Sequence, residues 1–103
     1  MKRGCVYIMS NAYRTVLYTG VTSDLRKRVL QHKKGVYPGA FTDQFLCHDL
    51  IWFKDYGSIK EAIAMEKRIK RWRRTWKWRM IDELNPRHED LSNDWYDARD
   101  VEM

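Results

Sequence analysis

Apolar and polar positions along the chain change period several times, and each change marks an element. Cys5-Val6-Tyr7-Ile8-Met9 and Thr15-Val16-Leu17-Tyr18-Thr19 are short runs of β-branched and aromatic residues. Between them, Ser10-Asn11-Ala12-Tyr13-Arg14 supplies turn-forming side chains, so the pair predicts a β-hairpin whose second strand closes at Gly20. Strand side chains alternate faces, which puts Cys5, Tyr7 and Met9 on one side of the first strand and Val16 and Tyr18 on one side of the second. Two tyrosines can then stand beside each other.

After Gly20 the pattern becomes helical. Thr22-Ser23-Asp24 offers N-caps, Leu25 to Lys34 is a run of good helix formers, and Gly35 ends it. Leu25, Arg28, Val29 and His32 recur at helical spacing, so Arg28 and His32 share the apolar stripe while Arg26, Lys27, Lys33 and Lys34 point elsewhere. Gly35 to Gln44, with Pro38 and Gly39, reads as a loop, and Leu46 to Tyr56 as a third strand centred on Leu50-Ile51-Trp52-Phe53. Ser58-Ile59-Lys60-Glu61 is a capping box that starts a second helix. Its stripe is Ile59, Ala62, Ile63, Glu66 and Ile69, and a carboxylate on that side is costly unless something positive meets it. A bend at Arg73-Arg74-Thr75 leads to a further helix from about Trp76 to Leu84, stopped by Asn85-Pro86. The expected architecture is α+β: a small three-stranded mixed or antiparallel sheet flanked by three or more helices. Residues 1–86 form the domain and 87–103 an acidic tail, with Trp95 and Tyr96 as docking points.

Charge sharpens this picture. Residues 1–81 hold 18 Lys and Arg against 6 Asp and Glu, whereas residues 82–103 hold 2 against 8. A small domain with so large a local cationic excess attracts polyanions, nucleic acid foremost. The basic side chains concentrate between Met65 and Arg79, with eight Lys or Arg and three Trp in fifteen residues. Within it Lys67, Arg68, Lys70, Arg71, Arg73, Arg74 and Lys77 are the candidates for gripping phosphates, and Trp72 and Trp76 are expected to pack in the core rather than stack on bases. Cys5 and Cys47, without metal-site spacing, are expected to be buried apolar residues. His48 and the His88-Glu89-Asp90 cluster are read as lying outside any site. No apolar run approaches the roughly 18 residues of a membrane span, and no leader pattern opens the chain, so a cytoplasmic protein is expected.

Tyr7 in a first strand, Tyr18-Thr19-Gly20 at the end of a second, Arg28 ten positions after Tyr18, His32 four further on and a lone Glu66 on a later helix resemble the GIY-YIG nuclease superfamily. The likeness spans residues 4 to about 86. Glu66-Lys67-Arg68-Ile69-Lys70-Arg71-Trp72-Arg73-Arg74, with Trp76-Lys77 and Asn85-Pro86, looks like the small single-domain YhbQ-like branch, related to the nuclease domain of the excision-repair protein UvrC. Two departures stand out. The first motif reads Cys5-Val6-Tyr7, so only its tyrosine survives, and the second reads Tyr18-Thr19-Gly20; in addition, Val21 stands where repair-type members carry a lysine.

The resemblance implies a metal-dependent endonuclease that hydrolyses phosphodiester bonds in DNA, at branched, damaged or single-stranded sites. Such a reaction needs an activated water and neutralised phosphate oxygens. Glu66 then holds one Mg²⁺ or Mn²⁺, the alternative for it being an ion pair with a cation of its own helix. Arg28 places its guanidinium fork on the scissile phosphate. Tyr7 or Tyr18 activates water, and His32 accepts the phenol's proton or orients the phosphate. The competing expectation is a nucleic-acid-binding module of the same fold with little catalysis, or one acting on RNA.

Overall fold

The structure, a computed structural model, describes residues 3–35 and 45–97. The expected loop through Pro38 and Gly39, and the end of the acidic tail, fall outside these residues.

Three strands, β1 (Gly4–Ser10), β2 (Leu17–Thr22) and β3 (Asp49–Tyr56), form one sheet in the order β2-β1-β3. Both pairings are antiparallel, which resolves the mixed-or-antiparallel alternative. All seven residues of β1 are buried, because the strand is central in the sheet and covered on both faces. A bulge between Ile8 and Met9 shifts its register against β3.

Helix α1 (Leu25–Lys34) starts at Asp24, whose carboxylate accepts from the Lys27 N–H, and ends at Gly35 in the left-handed conformation, φ 65°. Helix α2 (Ile59–Arg71) starts at Ser58, which accepts from the Glu61 N–H as the capping box predicts. Helix α3 (Arg74–Leu84) begins two residues earlier than expected, because the extended break lies at Trp72–Arg73. Asn85 closes it: its side-chain amide donates to the carbonyls of Ile51 and Glu89, tying the helix end to β3. Among the described residues no helix is long and apolar enough to cross a membrane.

The sheet separates two apolar clusters. Val6, Ile8, Ile51, Trp52, Ala62, Ile69 and Ile81 pack beneath α2 and α3. Tyr7, Met9, Val29, Cys47 and Leu50 pack on the other face with α1, Trp95 and Tyr96. Cys5 and Cys47 are both buried and unpaired with each other, as expected.

Two expectations are corrected here. β2 does not close at Gly20 but runs on to Thr22, because Gly20 is paired opposite Tyr7 and its missing side chain makes room for that ring. Ile63 is 39% exposed rather than on the inner stripe of α2, which is narrowed to Ala62 and Ile69.

Residues 87–97 lie against the second face. Leu91 N–H donates to Leu50 O, and Asp90 accepts from Leu50 N–H, Ser92 and Lys33. Trp95 and Tyr96 dock as expected, with the Arg26 guanidinium over both rings.

Candidate active site

Tyr7 sits at the middle of β1 and is fully buried, its phenol lying across β2. A Cβ added at Gly20 would come within 2.5 Å of the phenol oxygen, so only glycine at this point of β2 leaves the ring its place. Tyr18, two residues earlier on β2, therefore shares this face, and its ring centroid is 6.3 Å from that of Tyr7. From α1, His32 completes a three-ring cluster, with its centroid 5.6 Å from each tyrosine. Its Nε2 is 2.9 Å from the Tyr7 hydroxyl.

The electrostatics of this pair follow from burial. Desolvation pushes the Tyr7 phenol well above the ordinary tyrosine range, and the nearby Tyr18 and Glu66 push the same way, while the Arg28 guanidinium opposes them through its charge and a hydrogen bond. Desolvation pulls His32 down to about 4, helped by the positive charge of Arg28 and by His48. At neutral pH the phenol is therefore protonated and the imidazole neutral, so Tyr7 O–H donates to Nε2 and the ring proton resides on Nδ1. Tyr18, Arg28, His32 and Glu66, drawn from β2, α1 and α2, thus each bear on the Tyr7 phenol of β1.

Arg28 opens onto a cleft of about 390 Å³ lined by Thr22, Ser23, Asp24, Lys27 and Gln31. Sequence reading missed most of this cleft. Thr22-Ser23-Asp24 registered only as a cap signal, and Lys27, assigned away from Arg28, lines the same space. His48, read as outside the site, bears on it through its effect on His32. His88, also read as outside, hydrogen-bonds Asp82 and lies tilted against Trp78 with ring centroids 4.7 Å apart.

Glu66 is mostly shielded, and its carboxylate lies 3.4 Å from Lys70 Nζ one turn along α2. That is the ion-pair alternative, and with Lys70 half exposed the pair is screened by solvent and contributes little. Among the described residues no group of three or more His, Cys, Asp or Glu converges. The donor set therefore suits a hard cation held by one carboxylate with water and phosphate completing its shell, and does not suit a closed all-protein cage.

Of the basic segment, Lys67, Arg68, Arg71 and Arg73 are exposed, Lys77 is partly covered, and Arg74 donates to the Thr15 carbonyl. Trp76 is 52% exposed, correcting the expectation of a core residue, whereas Trp72 packs against the aliphatic cluster. Val21 also packs there, on the opposite face from Tyr7 and Tyr18.

No curated protein and no solved structure matches the chain. The model of the GIY-YIG catalytic domain, however, matches residues 3–79, a span that holds both tyrosines, Arg28, His32 and Glu66, and the chain belongs to this family of nuclease domains.

Proposed function

We propose that the protein is a divalent-metal-dependent endonuclease that hydrolyses phosphodiester bonds in DNA. The observation that carries this reading is the buried Tyr7–His32 hydrogen bond with Arg28 and Glu66 both acting on the phenol. A buried phenol bonded to an imidazole and a guanidinium, with a carboxylate within electrostatic reach, suits a group that must lose and regain a proton. Within the family we place it in the small single-domain YhbQ-like branch, on the strength of the basic, Trp-containing segment from Glu66 to Lys77, with branched, damaged or partly unpaired DNA met during repair as its substrate.

Glu66 would hold Mg²⁺ or Mn²⁺, which when bound supplies positive charge for the phosphate oxygens and offsets the carboxylate's effect on Tyr7. Arg28 binds the scissile phosphate through its guanidinium fork. That contact has a second effect: Arg28 is one of the charges holding His32 acidic, so once it is paired with a phosphate the imidazole becomes more basic. Tyr7 then passes its proton to Nε2 of His32, and the phenolate takes a proton from the attacking water. The resting site holds both partners neutral; pairing Arg28 with phosphate raises the proton affinity of the phenol as well as that of the imidazole, so it is the metal's charge at Glu66 that would favour the phenolate. Tyr18 orients the phenol and shields it from bulk solvent.

A plasmid-nicking assay with Mg²⁺ or Mn²⁺ tests the reading. Wild-type protein is expected to nick, and Glu66→Ala and Arg28→Ala to lose at least about 10²-fold in rate. Equal nicking by all three proteins rejects the assignment and marks a contaminant. Tight DNA binding without nicking leaves a binding module.

A further inference from the structure

Helices α2 and α3 meet at the extended pair Trp72–Arg73. Across this break the indoles of Trp72 and Trp76 pack edge to face, with centroids 6.3 Å apart and planes at 72°. They open onto a groove of about 340 Å³ lined also by Arg79, Met80 and Glu83. Trp72 is anchored in the core cluster below it, whereas Trp76 leaves about half of its surface exposed. The groove thus has one fixed aromatic wall and one free aromatic face.

The surroundings state what fits. From Arg71 to Arg79 the chain carries five cations and no carboxylate. Burial pushes the Lys77 ammonium down, and repulsion from Arg74 and Lys70 adds to it. Like charges held together by a fold are relieved by a polyanion. The same helix run leads back to the active site, since Lys70 lies one turn from Glu66 and is its ion-pair partner. Flat indole surface beside a line of cations matches a strand that offers a phosphate and a π-face in each repeat. A paired duplex presents the phosphates but keeps its base faces stacked inside.

We propose that the Trp72–Trp76 groove is a stacking slot for one unpaired nucleobase, giving this nuclease a preference for nucleic acid with a single-stranded segment. Trp76 supplies the platform and the planar Arg79 guanidinium flanks it. Glu83, the carboxylate among the groove-lining residues, only accepts hydrogen bonds; it repels phosphate and suits the amino group of a base, which sets the direction in which the nucleotide enters. The inference rests on the nucleic-acid reading of the proposed function and adds the structural class of substrate.

The test is fluorescence anisotropy with a labelled single-stranded oligonucleotide and a blunt duplex of the same length, in chelator so that nothing is cut. Trp76→Ala is expected to weaken single-strand binding about ten-fold or more while changing duplex binding no more than about two-fold, and Trp76→Phe to retain most of the affinity. Unchanged single-strand affinity, or equal losses on both probes, overturns the slot. So does sedimentation showing that wild type is a dimer and Trp76→Ala a monomer, because the groove then serves a second copy of the chain. Because this measurement contains no divalent ion, it stands or falls apart from the nicking assay, whose Glu66→Ala arm judges the nuclease reading alone.

Discussion

On the α2–α3 side of the sheet, Val6 and Ile8 meet Ile51, Ala62, Ile69 and Ile81 in a closed aliphatic contact. On the α1 side the intervening residue of the same strand, Tyr7, meets His32 and Tyr18. A strand with a two-residue side-chain period, placed centrally and covered on both faces, can give one face to cohesion and the other to chemistry. The difference is one of tolerance. The aliphatic face asks only that volume be filled, whereas the Tyr7 face buries a phenol and an imidazole that must satisfy each other. His48 Nε2 and Tyr56 Oη, buried without a hydrogen-bond partner among the described residues, show that such satisfaction is not complete elsewhere.

The largest effects separate the two faces. Tyr7→Phe keeps the ring and removes only the hydroxyl, and it is expected to lower nicking by about 10²–10⁴-fold, the usual worth of a general acid–base group. Its thermal unfolding should shift little beyond the roughly 1–3 kcal/mol of leaving the His32 Nε2 without its donor. Gly20→Ala keeps every reactive group yet forces the phenol to move, and a misplacement of about 1 Å can cost on the order of 10²-fold. Ile69→Ala, on the other face, should cost about 2–5 kcal/mol in chemical denaturation. Activity per folded molecule should stay near wild type. If Ile69→Ala abolished nicking while still folded, the division of labour between faces would be wrong.

How far the sequence carried the fold can be judged from particular residues. Asp24, Gly35 and Ser58 act as the caps that local chemistry predicts, because a cap is decided by its own backbone. Gly20 was misread as a terminator because its role is set by a ring on the neighbouring strand, and no local rule carries that contact. Trp76 departs from the core expectation because the extended break at Trp72–Arg73 lies between the two indoles and only Trp72 stays against the aliphatic cluster. The pairing of Tyr7 with Tyr18 followed from strand alternation. The 2.9 Å bond from Tyr7 to His32 and the cleft that Lys27 shares with Arg28 depend on how α1 lies across the sheet, which periodicity does not set.

Acid unfolding separates the faces more finely, and the sign can be worked out in advance. His32 ionises near 4 in the folded protein against about 6.5 when unfolded, so between these values the unfolded chain binds the extra proton. The stability that the neutral imidazole contributes is present above about 6.5 and is lost as pH falls toward 4, by at most about 3 kcal/mol. The groups acting on it are Arg28 and His48, and both disfavour its charged form. Asp90, held below its usual value by Lys33, Ser92 and Leu50, loses its contribution in a lower window as it protonates. Chemical denaturation of wild type from pH 7 to 4 should therefore show a decline that starts above the carboxylate range. His32→Gln should flatten that upper part of the curve, whereas Ile69→Ala should lower the whole curve without changing its shape. A decline that survives intact in His32→Gln would place the titrating group elsewhere and remove the neutral imidazole from the description of the site.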